Sequence, residues 1–229
     1  MNKVSCIIPA HNEEKNIRNV LNVVSGVSSE FISEIIVVDD GSIDNTPNIV
    51  REFPNIRLII NEKNSGKSYS IAKGIQESSG DFILMLDADL HGLLPEDIVS
   101  LVDPVKSGKA SVSMSVRKNA PIWMKLIKVD LMTGERVFPK NIIMPYMREV
   151  MALRGYALEV FINGIIIKNK CAIKSVYLKN VQDELKTTKK GLSAGIKLFL
   201  SMWRDILKTV SFWEWLYQNF ALSKLVIRD

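Results

Sequence analysis

Histidine and cysteine are scarce in this chain, with two of each in 229 residues. Cys6 and Cys171 each sit inside an apolar run, so both read as small core residues and a disulfide framework is excluded. His11 and His91 have no zinc-type partners at ligand spacing, which excludes a His/Cys zinc centre. No window of eighteen or more apolar residues is free of charge, so no transmembrane helix is expected. The stretch Met1–Pro9 holds too short an apolar run for a secretory signal. The expectation is a cytosolic chain, free or held on the cytoplasmic face of a membrane. No G-x-G-x-x-G follows the first strand-like run, which speaks against a dinucleotide-dependent dehydrogenase. Internal repeats and low-complexity segments are absent as well.

What is present describes a globular α/β chain. A hydrophobic fraction of 47% with 24% charged residues excludes disorder, and the length suits one substantial domain. The net charge of +5 is unevenly placed. Lysine and arginine crowd residues 117–128, 168–190 and 197–208, while most of the suggestive acids precede residue 103. That asymmetry fits an anionic partner such as a nucleoside diphosphate or an anionic lipid. Nucleic acid is disfavoured, because no recognition motif accompanies the basic residues and the acidic loops would repel phosphates.

Strand and helix patterns alternate through the first half. Strands are expected at Lys3–Ile8, Glu34–Val38, Ile56–Ile60 and residues 81–86. Asn12 is expected to cap a helix through Ile17, Val20, Leu21 and Val24, Thr46-Pro47 to open a second, and Ser65-Gly66 a third. This alternation with short connections predicts βαβ units and a mostly parallel sheet with helices on both faces. Further on, Pro95–Val105 reads as a helix, Ala110–Val116 as a strand and Ile122–Leu131 as amphipathic. Thr133-Gly134-Glu135-Arg136 reads as a polar break and Ile142–Leu153 as a helix. Val160–Ile167 and Ala172–Leu178 read as strands, with Asn163-Gly164 as a bulge or turn.

Ligands on such sheets bind beyond the carboxyl ends of the strands. The loops Pro9–Glu13, Asp39–Ser42 and Asp87–Asp89 all lie at those ends and point polar groups into one crevice. Alternation along a strand lets Asp87 and Asp89 face one way with Ala88 opposite, and two carboxylates there suit a hard divalent cation that in turn holds a diphosphate. Glu13 also fits as a favourable charge at a helix start, and Asp39 and Asp40 as turn residues before Gly41. Lys67 begins a helix, where the dipole disfavours a cation, so a ligand-facing role is expected. Arg117 ends a strand, facing either a diphosphate or solvent.

With these loops in place, the chain resembles the family 2 glycosyltransferases of the GT-A fold. The matching pieces are Ser5–Glu14 (SCIIPAHNEE), Glu34–Thr46 (EIIVVDDGSIDNT), Asn64–Gly74 (NSGKSYSIAKG) and Gly80–Leu90 (GDFILMLDADL). Thr133–Phe138 and Gly155–Asn163 resemble the acceptor side of small bacterial members, among them relatives of polyprenyl-phosphate sugar synthases and of glucosyl-3-phosphoglycerate synthase. The resemblance implies a metal-dependent transferase that uses Mg²⁺ or Mn²⁺ and a nucleoside diphosphate sugar, with a lipid-linked, polyprenyl-phosphate or cell-envelope acceptor. It implies that Asp89 binds the metal directly and that Asp87 meets the ribose or the metal through water. It further implies that Pro9, His11 and Glu13 cradle base and ribose, that Val37 packs near the base and that Asp39 accepts a base N–H. The family more often has an aromatic residue at the His11 position. Some relatives complete the metal site with a histidine just before a Lys-Gly segment; here Val181–Lys186 has none, and Asp183 is the candidate there for a substitute oxygen ligand. Lys186, Lys189 and Lys190 follow and fit either a basic loop that closes over phosphates or a solvated charge run.

On the acceptor side Glu135, Arg136 and Glu159 are candidates, and the choice of a base between Glu135 and Glu159 stays open. The chain divides into residues 1–105 for the donor, 106–190 for the acceptor and a helical tail, 191–229. That tail carries three of the four tryptophans. It fits core packing, a dimer interface or a membrane interface. Two alternatives remain beside the transferase: a catalytically silent nucleotide-binding scaffold and a sugar-phosphate nucleotidyltransferase, whose Gly-rich loop after the first strand is missing here.

Overall fold

The computed structural model describes residues 2–183 and 204–227. Its first four major strands are β1 (Val4–Ala10), β2 (Glu34–Asp39), β3 (Ile56–Ile60) and β4 (Phe82–Met85). They pair in parallel, with β1 between β2 and β4 and β3 outside β2. The crossovers carry α1 (Ile17–Ser25), α2 (Thr46–Arg51) and α3 (Lys67–Glu77). After β4 come a short β5 (Leu90–His91), α4 (Pro95–Lys106), β6 (Val112–Arg117), α5 (Ile122–Ile127) and β7 (Arg136–Pro139). The chain goes on through α6 (Lys140–Ile143), α7 (Met147–Ala152), α8 (Ala157–Lys168), β8 (Ile173–Leu178) and β9 (Gln182–Asp183). Residues 204–209 are helical (α9), and α10 (Phe212–Leu225) closes the described chain.

The main sheet runs β3-β2-β1-β4-β7-β6-β8, and only β7 is antiparallel to its neighbours. The expected mostly parallel sheet is therefore the one that forms. Alternate residues of the central strand feed two cores. Cys6 and Ile8 join α1, α2 and α4 on one face, and Ile7 joins α3, α7, α8 and α10 on the other. Burial on both faces explains why these strands read as unbroken apolar runs.

Several local expectations change. Asn12 does not cap α1. It adopts φ 56°, its Oδ1 accepts from Ile43 N (2.9 Å), and the helix begins only at Ile17. The side chain expected at the helix is used to tie the β1 loop to the β2 loop. The polar break at residues 133–136 leads directly into β7, a strand short enough to give no period-2 signal. Ile142–Leu153 is not one helix: a 3-10 turn over Met144–Tyr146 interrupts it, where Pro145 lacks an N–H to donate.

Val160–Ile167 is helix, not strand. It lies within α8, which packs against the sheet with α10 on its outer side, so almost every face is apolar and no polar stripe marks the helical period. Asn163-Gly164 makes no turn. Gly164 sits where a Cβ would lie 3.7 Å from Gln218 Nε2 of α10. In the expected helical tail, Ile196, Phe199, Leu200 and Trp203 lie outside the described residues, as do Lys186, Lys189 and Lys190. The part that is described breaks at residues 210–211, where Ser211 Oγ caps α10 by accepting from Glu214 N (3.1 Å).

Candidate active site

A cleft of about 270 Å³ opens beyond the carboxyl ends of the central strands. Pro9, Ala10, His11 and Glu13 come to it from β1, Asp40 from β2, and Asp87, Ala88 and Asp89 from β4, while Lys67 enters at the start of α3. The convergence of three loops and a lysine expected from the sequence is present. One detail differs: β4 ends at Met85, so Asp87 and Asp89 stand in the turn beyond it, while Ala88 between them borders the cleft and is buried in the core beside Leu86 and Leu90.

Neighbouring acids after β2 do different work. Asp40 is 3% exposed and accepts from Ser65 N (3.0 Å), Gly66 N (2.7 Å) and Asn61 Nδ2 (2.8 Å). Burial pushes its pKa up, but these donors outweigh burial and hold it below the ordinary aspartate value. Its task exceeds that of a turn residue, because it fixes the loop that delivers Lys67. The Asp40 carbonyl also takes the Nδ1–H of His11 (3.0 Å), which leaves Nε2 to accept from the Asn12 amide (3.1 Å). Asp39 Oδ2 accepts from Ser42 N (3.1 Å), and its Oδ1 is buried with no hydrogen-bond partner. Val37 is fully buried in the core two residues before Asp39. Glu13 is held by Asn16 Nδ2 (2.9 Å), and its own N–H donates to Thr46 Oγ1 (2.8 Å).

On the opposite wall Lys67 Nζ bridges Asp87 Oδ1 (2.6 Å) and Glu159 Oε1 (3.0 Å). Burial disfavours the ammonium, but the two carboxylates outweigh it and raise the lysine above its usual pKa. Glu159 is 3% exposed on the first turn of α8. Gly134 lies against Asp87, where a Cβ would fall 2.5 Å from Oδ2. Any side chain there would push the carboxylate out of place.

Beneath this wall runs a buried polar network that the sequence reading found only in part. Arg136 is fully buried and donates through Nε to Thr133 O (3.1 Å) and through Nη1 to Asn163 Oδ1 (3.1 Å). Burial lowers its pKa against the pull of Glu159, Asp130, Glu135 and Asp87. Glu135, also fully buried, accepts at Oε2 from Ser115 Oγ and Thr133 Oγ1, both at 2.7 Å. Arg117, 8% exposed, reaches Asp130 Oδ2 at 3.6 Å and Glu135 Oε2 at 3.8 Å. Burial raises the Asp130 carboxyl, with Arg117 opposing. Arg117, Glu135 and Arg136 thus lie in the network under the wall, while Glu159 reaches the cleft through Lys67. Asp130 and Ser115 were not singled out from the sequence, and Thr133 and Asn163 were named only within a polar break and a turn. Their only local signal was polarity inside otherwise apolar segments.

The cleft suits a hard divalent cation. Asp87 already holds a cationic nitrogen, and Gly134, lacking a Cβ, lets its carboxylate lie where it does. Among the described residues no third His, Cys, Asp or Glu joins a metal-binding group. Two protein carboxylates are the usual share for Mg²⁺ or Mn²⁺ when substrate phosphates and water supply the other ligands. The backbone of Asp183 pairs with Leu90, the residue after Asp89.

A sheet of this order, with an acidic turn beyond β4 and helices on both faces, is the arrangement of the GT-A fold. Residues 5–158 match the family described as glycosyl transferase family 2, and the chain belongs to that family. It is 32% identical over 195 residues to the dolichol-phosphate mannosyltransferase of Pyrococcus furiosus, covering 79% of this chain and 55% of that protein. Over 132 residues it is 35% identical to the undecaprenyl-phosphate 4-deoxy-4-formamido-L-arabinose transferase of Proteus mirabilis, covering 55% and 40%. The chain spans about half the length of these curated relatives. Among solved structures, glucosyl-3-phosphoglycerate synthase of Mycobacterium tuberculosis, in complex with Mn²⁺, UDP-glucose and phosphoglyceric acid, aligns with a TM-score of 0.69. That alignment covers 91% of this chain and 79% of the other at 20% identity, a likeness of fold.

Proposed function

We propose that this protein transfers a sugar from a nucleoside diphosphate sugar to a lipid-linked phosphate, with Mg²⁺ or Mn²⁺ on Asp87 and Asp89. The observation that carries the reading is the cleft where these two acids and Lys67 meet at the strand ends. It is supported by the Mn²⁺ and UDP-glucose of the solved relative and by the polyprenyl-phosphate acceptors named for the curated relatives. Pro9, His11 and Glu13 flank base and ribose, and Asp39 Oδ1 takes an N–H of the base. The metal, when bound, offsets the negative charge that grows on the departing diphosphate. An acceptor phosphate oxygen bonds to the anomeric carbon as the bond from that carbon to the nucleoside diphosphate breaks. Such an acceptor arrives ionised, so neither Glu135 nor Glu159 is needed to remove a proton, and the cations around the cleft carry more weight. The side chain of Asp183, the substitute ligand expected from the sequence, lies outside what the structure describes, and Arg117 and Arg136 support the wall from below.

The acceptor's lipid would be met at an apolar face made by α5 and α10. Ile122 (77% exposed), Leu126 (78%), Trp213 (76%) and Phe220 (60%) stand open there, and Trp123 meets Trp215 edge to face at 6.2 Å. No helix among the described residues is long and apolar enough to cross a membrane. The face therefore suits attachment to a bilayer surface better than insertion.

Calorimetric titration of UDP, GDP, dTDP and CDP, each with and without Mn²⁺, tests the donor site. One nucleotide is expected to bind tightly only with Mn²⁺, and Asp89→Ala is expected to abolish that binding while circular dichroism stays unchanged. Normal affinity in the variant would sink the metal assignment.

A further inference from the structure

The position beside Asp87 is held by a cation that belongs to the chain itself. Lys67 Nζ lies 2.6 Å from Asp87 Oδ1 and 3.0 Å from Glu159 Oε1. The other oxygen of Glu159, Oε2, is buried with no hydrogen-bond partner. A buried carboxylate oxygen left unsatisfied is costly in a fixed arrangement. The cost has a purpose if the lysine changes partners.

We propose that Lys67 is a tethered counter-cation which an incoming divalent metal displaces from Asp87, and that Glu159 is the positioning residue that receives it. The inference rests on the reading of Asp87 and Asp89 as metal ligands. A metal ion and an ammonium group cannot both sit against the same oxygen without strong repulsion. The backbone at Lys67 is fixed, because Asp40 holds the N–H groups of Ser65 and Gly66 just before it. The exchange is therefore a side-chain rotation, and Glu159 Oε2 lies on a carboxylate the lysine already touches. Before metal arrives, one ammonium offsets the two acids; afterwards the metal offsets Asp87 and the ammonium stays with Glu159. Metal alone must displace the lysine, whereas metal arriving with a diphosphate brings its own ligands. The site thus favours the loaded donor over the free ion.

Mn²⁺ binding without nucleotide, followed by electron paramagnetic resonance, tests this in the wild type, Lys67→Met, Glu159→Gln and the double variant. Lys67→Met is expected to bind Mn²⁺ about fivefold to tenfold more tightly, since no charged hydrogen bond has to be broken. Glu159→Gln is expected to weaken Mn²⁺ binding, because the lysine then depends on Asp87 alone. In the Lys67→Met background Glu159→Gln should have almost no effect, since Glu159 acts through the lysine. Equal weakening in both backgrounds would mean a simple field effect and would overturn the proposal. Unchanged affinity in Lys67→Met would overturn it while leaving the metal site standing. Absence of Mn²⁺ binding by the wild type, even with nucleoside diphosphates present, would remove both. The wild type offers a reading free of any folding defect: the ¹³Cε resonance of Lys67 is expected to shift when diamagnetic Mg²⁺ and a nucleoside diphosphate bind. A resonance that stays fixed at saturation counts against the exchange.

Discussion

At the scale of single residues, Asp40 borders the cleft and also builds its frame. Asp40 holds Asn61 and the turn before α3, so it sets where Lys67 begins. Its pKa lies below the ordinary value, which makes its contribution one that is present above the unfolded-state pKa and lost as pH falls through the folded value. Asp40→Asn is expected to cost roughly 2–4 kcal/mol near neutral pH. That cost should shrink below about pH 4, where the wild-type carboxylate is protonated in the unfolded chain. Urea unfolding at several pH values checks this; a cost independent of pH would show that the charge is irrelevant. Asp87, Asp89 and Lys67 were legible in the sequence as cleft residues because each lies within a few residues of a strand end or helix start. Asp130 and Asn163 were not, since what gives them meaning is contact with Arg117 and Arg136, which lie 13 and 27 residues away.

At the scale of elements, α8 decides the wall of the cleft that carries Glu159. It places Glu159 against Lys67 and Asn163 against Arg136, two contacts four residues apart on one helical face. As a strand, the same segment would have pointed them along a pleat instead. Its helical form depends on cover from α10, whose Leu222 is fully buried in the core that also holds Leu158, Ile162 and Ile165. Leu222→Ala is expected to destabilise the protein by about 2–5 kcal/mol. Denaturant unfolding gives the size of the effect, and a loss under 1 kcal/mol would argue that α10 is not part of the core.

At the scale of the whole molecule, the polar cleft and the apolar face of α5 and α10 are linked through the chain. The segment from Arg117 through α5 returns at Gly134, against Asp87, and α10 rests on the helix that carries Glu159. Removing the tail beyond Val210 would strip Leu222 from the core and the bridge between Val226 and Ile173, so truncation cannot isolate membrane contact. Exposed positions can. Trp213→Ser with Phe220→Ser is expected to reduce co-sedimentation with anionic vesicles about tenfold, and salt should weaken the wild type in the same assay. Undiminished vesicle binding by the variant would end the membrane reading of this face.

The sequence by itself determined the order of β1 to β4 with their crossovers, the mostly parallel sheet and the acidic turn that faces its strand ends. These follow from local periodicity and from the rule that such sheets bind ligands at their carboxyl edge. Tertiary structure alone decided that residues 157–168 are helix, that β7 runs against its neighbours and that Lys67 is shared between Asp87 and Glu159. Those outcomes depend on which surfaces are covered from both sides and on charges brought together across 92 residues of chain, which no local pattern contains.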